Sequence, residues 1–283
     1  MNWIQTYLRL RIKATRLLGT RREADLAFEL FQTVRQLPPR ERELGLYHEA
    51  KLFRVSRPES DIPGYELGNP QGETVILVHG WESHAGSMYG IASHLAGKGY
   101  RVLCLDLPAH GKHAGKRTNL LECKEALKVF MNQLDRPFHV VSHSFGSAVT
   151  SLALSELKVQ ALQLVFLTSP NEITDIFREF QRFVGLSEKA YQLVVSRAEG
   201  LLKSPLEEAS VARRLSAARF EALTLLHDKH DQILPFSNSA AIQQQHPQAE
   251  LIELDQVGHY RMLWNPAVYA LVSQSLESVG VEK

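Results

Sequence analysis

Ser144 is the residue whose surroundings in the sequence point most directly to chemistry. It follows a strand-like run at 138–141 and precedes a helical pattern at 148–153. Two small residues, Ser142 and Gly146, flank it. This arrangement predicts a strand, a tight turn with the serine at its tip and the start of a helix, which is the local context of a nucleophile elbow. Strained backbone at such a turn lifts the hydroxyl clear of the sheet, and it needs small neighbours because the chain nearly touches itself there.

The same turn is expected to place the backbone N–H of Phe145 at the beginning of a helix. Partial positive charge at that end of a helix favours an oxyanion. A second interpretation needs no chemistry, because Ser142, Ser144 and Ser147 can also form a polar helix N-cap after a buried strand. The elbow alone leaves both interpretations open.

A serine nucleophile requires a base, and the base requires an orienting carboxylate. Two later polar clusters contain these residue types. Asp231 follows an apolar stretch at 222–226, and His259 follows another at 249–254. The chain order serine, aspartate, histidine is one in which hydrolytic triads occur. The alternatives are that Asp231 is a turn residue before Pro235 and that His259 is a histidine of a surface loop.

The chain around these residues alternates between strand and helix patterns. Strands are predicted before Ser144 and at 50–56, 64–68, 74–78, 100–105, 162–167, 222–226 and 249–254. Helices are predicted at 86–97, 119–134, 146–157, 237–245 and about 266–278. Such alternation indicates βαβ units, and therefore an α/β fold with a mostly parallel sheet and helices on both faces. In sheets of this kind, sites lie at the carboxyl ends of the strands.

Two segments fall outside the alternation. Residues 170–218 carry a helical pattern that begins directly after a strand, so we expect a helical cap or lid over the site. Residues 1–48 carry two further helical patterns, which we expect to form an N-terminal extension. The core is then predicted to consist of 49–169 and 219–283.

Five signals make the sequence resemble the α/β-hydrolase fold family over about residues 50–280. They are His79-Gly80-Trp81 after the third strand, Asp106 to Gly111 after the fourth, the elbow at Ser144, Asp231 four residues before Pro235, and Gly258-His259. All five signals occur in the expected order, and each lies at a strand end.

The resemblance implies a role for each residue. Ser144 is expected to be the nucleophile, His259 the general base and then the general acid, and Asp231 the carboxylate that fixes the tautomer of the histidine. The backbone N–H groups of Trp81 and Phe145 are expected to form the oxyanion hole. The implied protein is a Ser-His-Asp hydrolase that cleaves a carboxylic ester through an acyl-enzyme and uses no cofactor.

Two other carboxylates compete for the role of the acid. Asp228 lies three residues nearer the strand, but it sits among His227, Lys229 and His230, which are interpreted as solvated neighbours. The charge of Asp228 is therefore expected to be easily solvated. Glu172, which follows the predicted strand 162–167, is the third candidate, because some relatives of the family carry the acid after that earlier strand.

The chain departs from the family pattern at Ser142, Ala109 and Asp228, where relatives often have glycine. A serine at the elbow argues against the dehalogenase and epoxide-hydrolase branches, which use an aspartate nucleophile. It does not separate an esterase from a lipase, a thioesterase, an amidase or a carbon–carbon bond hydrolase. A non-catalytic scaffold that binds a ligand or partner is the rival from another class.

The composition of the chain limits the kinds of partner and the cellular location that we expect. The net charge of +1 indicates no general attraction to nucleic acid, so the expected partner is a small-molecule ester. The two cysteines, Cys104 and Cys123, lie in strand and helix patterns, which favours a reducing, cytoplasmic location over a disulfide framework.

Asp106, His110 and His113 lack a recognised ligand spacing, so no metal site is predicted. No apolar run is long enough to span a membrane. Arginines also interrupt the N-terminal segment, where a secretory signal would need an unbroken apolar run.

Residues 2–18 form a predicted amphipathic helix. Its apolar positions recur three or four residues apart, and they are Trp3, Tyr7, Leu10, Ala14 and Leu17. Residues 1–22 carry six basic side chains and no acidic one. One interpretation is packing against the main domain, and the other is peripheral contact with a membrane surface.

Overall fold

The computed structural model describes residues 3–279 and contains an eight-stranded sheet. Its strands are β1 (Lys51–Val55), β2 (Ile62–Gly68), β3 (Thr74–Val78), β4 (Arg101–Leu105), β5 (Phe138–His143), β6 (Ala161–Leu167), β7 (Phe220–Asp228) and β8 (Glu250–Leu254). They lie in the order β1-β2-β4-β3-β5-β6-β7-β8. The strand β2 pairs antiparallel with β1 and β4, and every other neighbouring pair is parallel. The predicted mostly parallel sheet is confirmed.

Eleven α-helices occur within the described residues. They are α1 (Trp3–Arg16), α2 (Thr20–Gln32), α3 (Leu44–Glu49), α4 (Tyr89–Gly97), α5 (Leu120–Met131), α6 (Phe145–Ser155), α7 (Ile173–Val184), α8 (Glu188–Leu202), α9 (Val211–Ala217), α10 (Ser237–Gln245) and α11 (Pro266–Glu277). Asparagine side chains cap two of them, because Asn119 accepts from the N–H of Glu122 and Asn265 from that of Ala267. In this part of the chain, no helix has both the length and the apolar character needed to cross a membrane.

The described residues form two compact units. One contains 34–171 and 211–279, and it holds the whole sheet. The other contains 3–33 and 172–210, and its α-helices are α1, α2, α7 and α8. Residues 34–48 and the helix α9 therefore belong with the sheet, whereas the predicted boundaries placed them in the extension and in the cap. The functional division into extension, core and cap stays a prediction.

The central parallel strands β3, β5 and β6 are buried on both faces, which explains their nearly continuous apolar sequences. All residues of β3, β5 and β6 are buried. On one face, Val75 and Leu77 share a core cluster with Ile91 of α4 and Val272 of α11. On the other face, α6 packs against β5 and against its neighbours α5 and α9.

The strand register brings several loops to the same edge of the sheet. The strand β5 lies between β3 and β6, with Val78 opposite Ser142 and His143 opposite Leu167. The chain therefore leaves these three strands at nearly the same level. The loops that follow them meet at the carboxyl edge.

Candidate active site

Backbone strain marks the carboxyl edge of the sheet. Five non-glycine residues with positive φ lie in the loops after its strands, and they are Glu82, Ala109, Ser144, Thr168 and Gln256. The sixth such residue in the described part of the chain, Lys203, ends α8. Side chains with a Cβ rarely adopt this conformation, and it is an outlier for a β-branched threonine. Because strain of this kind clusters at functional sites, the carboxyl edge is the candidate active site.

Ser144 occupies the tip of a sharp turn between β5 and α6. Its φ is 51° and its ψ is −121°, and its N–H donates to the carbonyl of Leu167 at 2.9 Å. The helix α6 begins at the next residue, Phe145. A Cβ on Gly146 would lie 2.5 Å from the carbonyl oxygen of Val78. Glycine is therefore required for α6 to start this close to the end of β3.

Ser142 stands where the elbow pattern usually has glycine. Its side chain is fully buried, and its Oγ lies 2.7 Å from Oγ1 of Thr150 in α6. Ser147 in turn donates from its Oγ to the carbonyl of Ser142 at 3.4 Å. The buried hydroxyl thus has a partner, and the elbow accommodates serine at this position.

His259 and Asp231 form a direct hydrogen bond. Asp231 follows β7, His259 follows β8, and these strands are neighbours in the sheet. Nδ1 of the histidine lies 2.8 Å from Oδ2 of the aspartate, and the two side chains are only 4% and 0% exposed. A carboxylate can only accept, so the bond places the His259 proton on Nδ1 and leaves a lone pair on Nε2. A histidine in this tautomer can take up a proton at Nε2.

Asp231 accepts hydrogen bonds on both of its oxygens. Oδ2 accepts from His259 and from the hydroxyl of Thr168. Oδ1 accepts from the N–H groups of Ile233 at 2.7 Å and Leu234 at 3.0 Å. Burial by itself raises the pKa of this carboxyl, but these bonds and the neighbouring His259 outweigh it and hold the pKa of Asp231 well below its usual range. The carboxylate is therefore charged at neutral pH and fixed from both sides.

Trp81 and Phe145, the two residues expected to supply oxyanion donors, are neighbours. Their ring centroids lie 5.1 Å apart in an edge-to-face arrangement. Trp81 comes from the loop after β3, and Phe145 is the first residue of α6. The first N–H groups of a helix have no acceptor within the helix and carry partial positive charge. Such groups can stabilise negative charge that develops beside Ser144.

Comparison with known proteins identifies the family. A model described as the Alpha/beta hydrolase family matches residues 75–270. The chain belongs to this family. The matched region extends from β3 into α11, and it contains Ser144, Asp231 and His259.

Two curated relatives and one solved structure show how far the similarity extends. The dihydrolipoyllysine-residue acetyltransferase component of the acetoin cleaving system of Pseudomonas putida is 25% identical over 236 residues, which cover 69% of this chain and 60% of that protein. A monoacylglycerol lipase of Mycolicibacterium smegmatis is 30% identical over 106 residues, or 35% of either chain. The chain thus spans between 35% and 60% of these relatives' lengths. The Pyrococcus furiosus esterase Pf2001 shares the fold, with a TM-score of 0.68 and 22% identity over 87% of this chain and 99% of that one.

In this α/β hydrolase, Thr168 and His227 form a buried network behind Asp231. Nε2 of His227 lies 3.0 Å from the carbonyl of Leu234 and 3.1 Å from Oγ1 of Thr168. Because a carbonyl only accepts, Nε2 carries the proton, and Nδ1 accepts from Oγ of Ser239 at 2.7 Å. Burial lowers the pKa of His227, which keeps this histidine neutral. Thr168 therefore accepts from His227 and donates to Asp231.

This network corrects the expectation that His227 is a solvated neighbour of Asp228. The side chain of His227 is completely buried, whereas the side chains of Lys229 and His230 are 48% and 63% exposed. The predicted strand ended at 226, but β7 continues to Asp228 and places His227 inside the sheet. Thr168 was missed although it directly follows β6. A polar residue in that position is a signal that the sequence already contained.

Asp228 is also buried, which contradicts the expectation of an easily solvated charge. It is 1% exposed, and its Oδ2 accepts from the N–H of Gly258, the residue before His259. Burial raises the pKa of Asp228, but hydrogen bonds from Gly258 and other backbone N–H groups outweigh it and lower the pKa. Asp228 thus ties two loops together, while Asp231 is the carboxylate that contacts His259. Glu172 lies at the N-cap of α7, in the other compact unit.

His143 links the turn at Ser144 to the loop that contains His259. Its Nε2 donates to the carbonyl oxygen of His259 at 2.9 Å. Burial, together with the nearby His259, lowers the pKa of His143 to about 3. His143 is therefore neutral in the folded protein, and its one N–H positions the backbone of His259.

The loop after β4 uses its polar side chains to hold its own shape. Asp106 accepts from the N–H groups of Ala85 and Lys112 at 2.8 Å and from the hydroxyl of Tyr65 at 3.0 Å. Nδ1 of His110 lies 2.8 Å from the carbonyl of Pro108. Across residues 3–279, no three His, Cys, Asp or Glu side chains are grouped as a metal site would require.

Proposed function

We propose that this protein is a serine hydrolase that cleaves a carboxylic ester through an acyl-enzyme. Ser144 is the nucleophile, His259 the general base and Asp231 its orienting carboxylate. The observation that carries this proposal is the 2.8 Å hydrogen bond between Asp231 and His259, at the edge of the sheet where Ser144 sits on a strained elbow. A buried, charged carboxylate bonded to Nδ1 leaves Nε2 ready to act on a serine hydroxyl.

The proposed reaction has two halves. Oγ of Ser144 attacks the ester carbonyl carbon while its proton passes to Nε2 of His259, and the N–H groups of Trp81 and Phe145 stabilise the oxyanion. The carbon–oxygen bond to the alcohol then breaks, and the imidazolium returns its proton to the leaving alcohol oxygen. Water attacks the acyl-enzyme with His259 again as base, which releases the carboxylic acid and restores Ser144.

The proposed substrate is a small or amphiphilic ester, and the steps use only residues of this chain and water. The name of the Mycolicibacterium smegmatis relative, a monoacylglycerol lipase, supports an ester as the bond. The Pseudomonas putida relative is named as an acetyltransferase component, so acyl transfer to a thiol is worth measuring beside hydrolysis. Cytoplasmic location and peripheral membrane contact through residues 2–18 are separate proposals, and Asn2 lies outside the described residues.

The Ser144→Ala variant tests the proposal. We expect it to lose labelling by a fluorophosphonate and to lower kcat for p-nitrophenyl esters by on the order of 10⁴ or more, with an unchanged circular dichroism spectrum. Ser151→Ala is the matched control, because Ser151 is buried in the same helix and donates only to the carbonyl of Ala148. Turnover or labelling that persists in a folded Ser144→Ala protein would refute the mechanism. A series from acetate to decanoate esters, with and without a thiol acceptor, then measures acyl-chain preference and transfer.

A further inference from the structure

The helix α1 presents an apolar stripe to solvent. Trp3, Tyr7 and Leu10 are 76%, 53% and 62% exposed, and Leu17, just beyond the helix, is 87% exposed. These four residues, called here the apolar stripe, recur three, four or seven residues apart and therefore share one side of the helix. Contiguous exposed apolar side chains mark an interaction surface. Because they are exposed, these side chains take no part in the packing of α1 within its own unit.

The opposite side of α1 is the one that packs within its own unit. Ile12 is fully buried there. Nε of Arg9 donates to the carbonyl of Phe183 at 3.0 Å, and Arg16 pairs with the buried carboxylate of Glu23 at 2.9 Å. These contacts attach α1 to its unit without the stripe. The stripe is thus available for a partner while the helix stays folded.

Basic side chains flank the stripe on both sides. With 3.6 residues per turn, Arg11 and Lys13 lie about 80° to either side of its midline. Both residues are exposed, and the guanidinium of Arg11 lies 5.7 Å from the centre of the Tyr7 ring. Residues 1–22 contain six basic side chains and no acidic one, so every charged side chain in the segment that carries the stripe is positive.

We propose that α1 binds an anionic lipid bilayer and lies in the plane of its surface. Tryptophan and tyrosine favour the level of the headgroups, leucine inserts below them, and flanking arginine and lysine attract lipid phosphates. Charge argues against a second copy of this chain as the partner. Two facing stripes would bring Arg11 and Lys13 of both copies together, with no acidic side chain in the segment to offset the repulsion. The proposal does not depend on the hydrolase activity.

Vesicle binding of the full-length protein tests the charge requirement. We expect binding to mixed phosphatidylglycerol–phosphatidylcholine vesicles, weakening with added salt, and at least about tenfold weaker binding to pure phosphatidylcholine. Arg11→Gln/Lys13→Gln should weaken binding to the anionic vesicles by about thirtyfold, which corresponds to about 1 kcal/mol for each basic side chain. Lys158→Gln/Lys189→Gln removes the same charge at exposed positions elsewhere and should leave binding unchanged.

A second set of variants tests the apolar requirement. Trp3→Ser/Tyr7→Ser/Leu10→Ser should weaken binding at least about a hundredfold, whereas Leu201→Ser, at a position of α8 that is 52% exposed, should not. Brominated lipid should quench tryptophan fluorescence in the wild type, and this quenching should disappear in Trp3→Phe. Equal binding to neutral and anionic vesicles, or unchanged binding of the folded triple variant, overturns the proposal. A dimer that the triple variant disperses assigns the stripe to a second copy and overturns it as well.

Discussion

Replacing Asp231 with asparagine keeps the shape of the side chain and turns one acceptor into a donor. If the new NH₂ group takes the place of Oδ1, it faces the backbone N–H groups of Ile233 and Leu234 at 2.7 and 3.0 Å, which cannot become acceptors. If it takes the place of Oδ2, it faces Nδ1 of His259 and the hydroxyl of Thr168. Both can act as acceptors, the histidine by changing tautomer and the hydroxyl through its oxygen. We therefore expect the second orientation.

The consequence is a base in the wrong tautomer. With its proton on Nε2, His259 has no lone pair for the proton of Ser144, and no charge remains beside an imidazolium. In the serine-protease triad this substitution lowers kcat by about 10⁴, which corresponds to about 5 kcal/mol of activation free energy. A loss of that size is expected here because Asp231 accepts four hydrogen bonds, so the amide cannot rotate away from the histidine.

The assay measures kcat for hydrolysis of a soluble p-nitrophenyl ester, and circular dichroism and thermal unfolding serve as folding controls. Asp228→Asn is the matched variant, since Asp228 is also buried but contacts Gly258 and not His259. We expect it to lower kcat by less than about tenfold and to lower the midpoint of thermal unfolding, because a buried N–H loses its acceptor. A folded Asp231→Asn protein with kcat within about tenfold of the wild type would refute the reasoning. The reverse ranking would assign the acid to Asp228, and two mild variants would direct the search to Glu172.

Two further predictions concern the side chains that surround the pair. Thr168→Val removes the hydroxyl that donates to Asp231 but keeps the shape, so we expect kcat to fall by about tenfold to a hundredfold, the equivalent of one hydrogen bond to a charged group. Thr168→Ser should retain activity, and equal kcat values for the two variants would show that the hydroxyl has no role. The pKa of His143 is about 3 in the folded protein, whereas its ordinary value is 6.5, so the unfolded chain binds a proton at this histidine more readily. The contribution of this difference to the free energy of unfolding is fully present above pH 6.5 and is lost as the pH falls toward 3. His143→Gln keeps a donor for the His259 carbonyl, and its urea-unfolding free energy should therefore fall about 2 kcal/mol less than that of the wild type between pH 7 and pH 5; an identical pH dependence would contradict this.

Local patterns in the sequence were sufficient for the architecture. Continuous apolar runs such as β3 and β6 predict strands buried on both faces, and their alternation with helical patterns predicts the parallel sheet that the structure contains. The turn at Ser144 could also be predicted, because the small residues Ser142 and Gly146 on either side of the serine are visible in the sequence itself. Candidate residues at strand ends could be named for the same reason, since parallel strands end at a common edge.

Only the tertiary structure decided which carboxylate contacts the histidine and which side of α1 faces outward. Asp228 and Asp231 are three residues apart and both are buried, so their roles depend on how the loops after β7 and β8 meet across the sheet. Thr168 contacts His227 and Asp231, which lie 59 and 63 residues further along the chain, so its position after β6 could be noticed in the sequence but its partners could not. The helix α1 carries apolar residues on two sides, and periodicity cannot tell which side packs. That choice follows from the hydrogen bonds and burial of the opposite side, which exist only once the chain is folded.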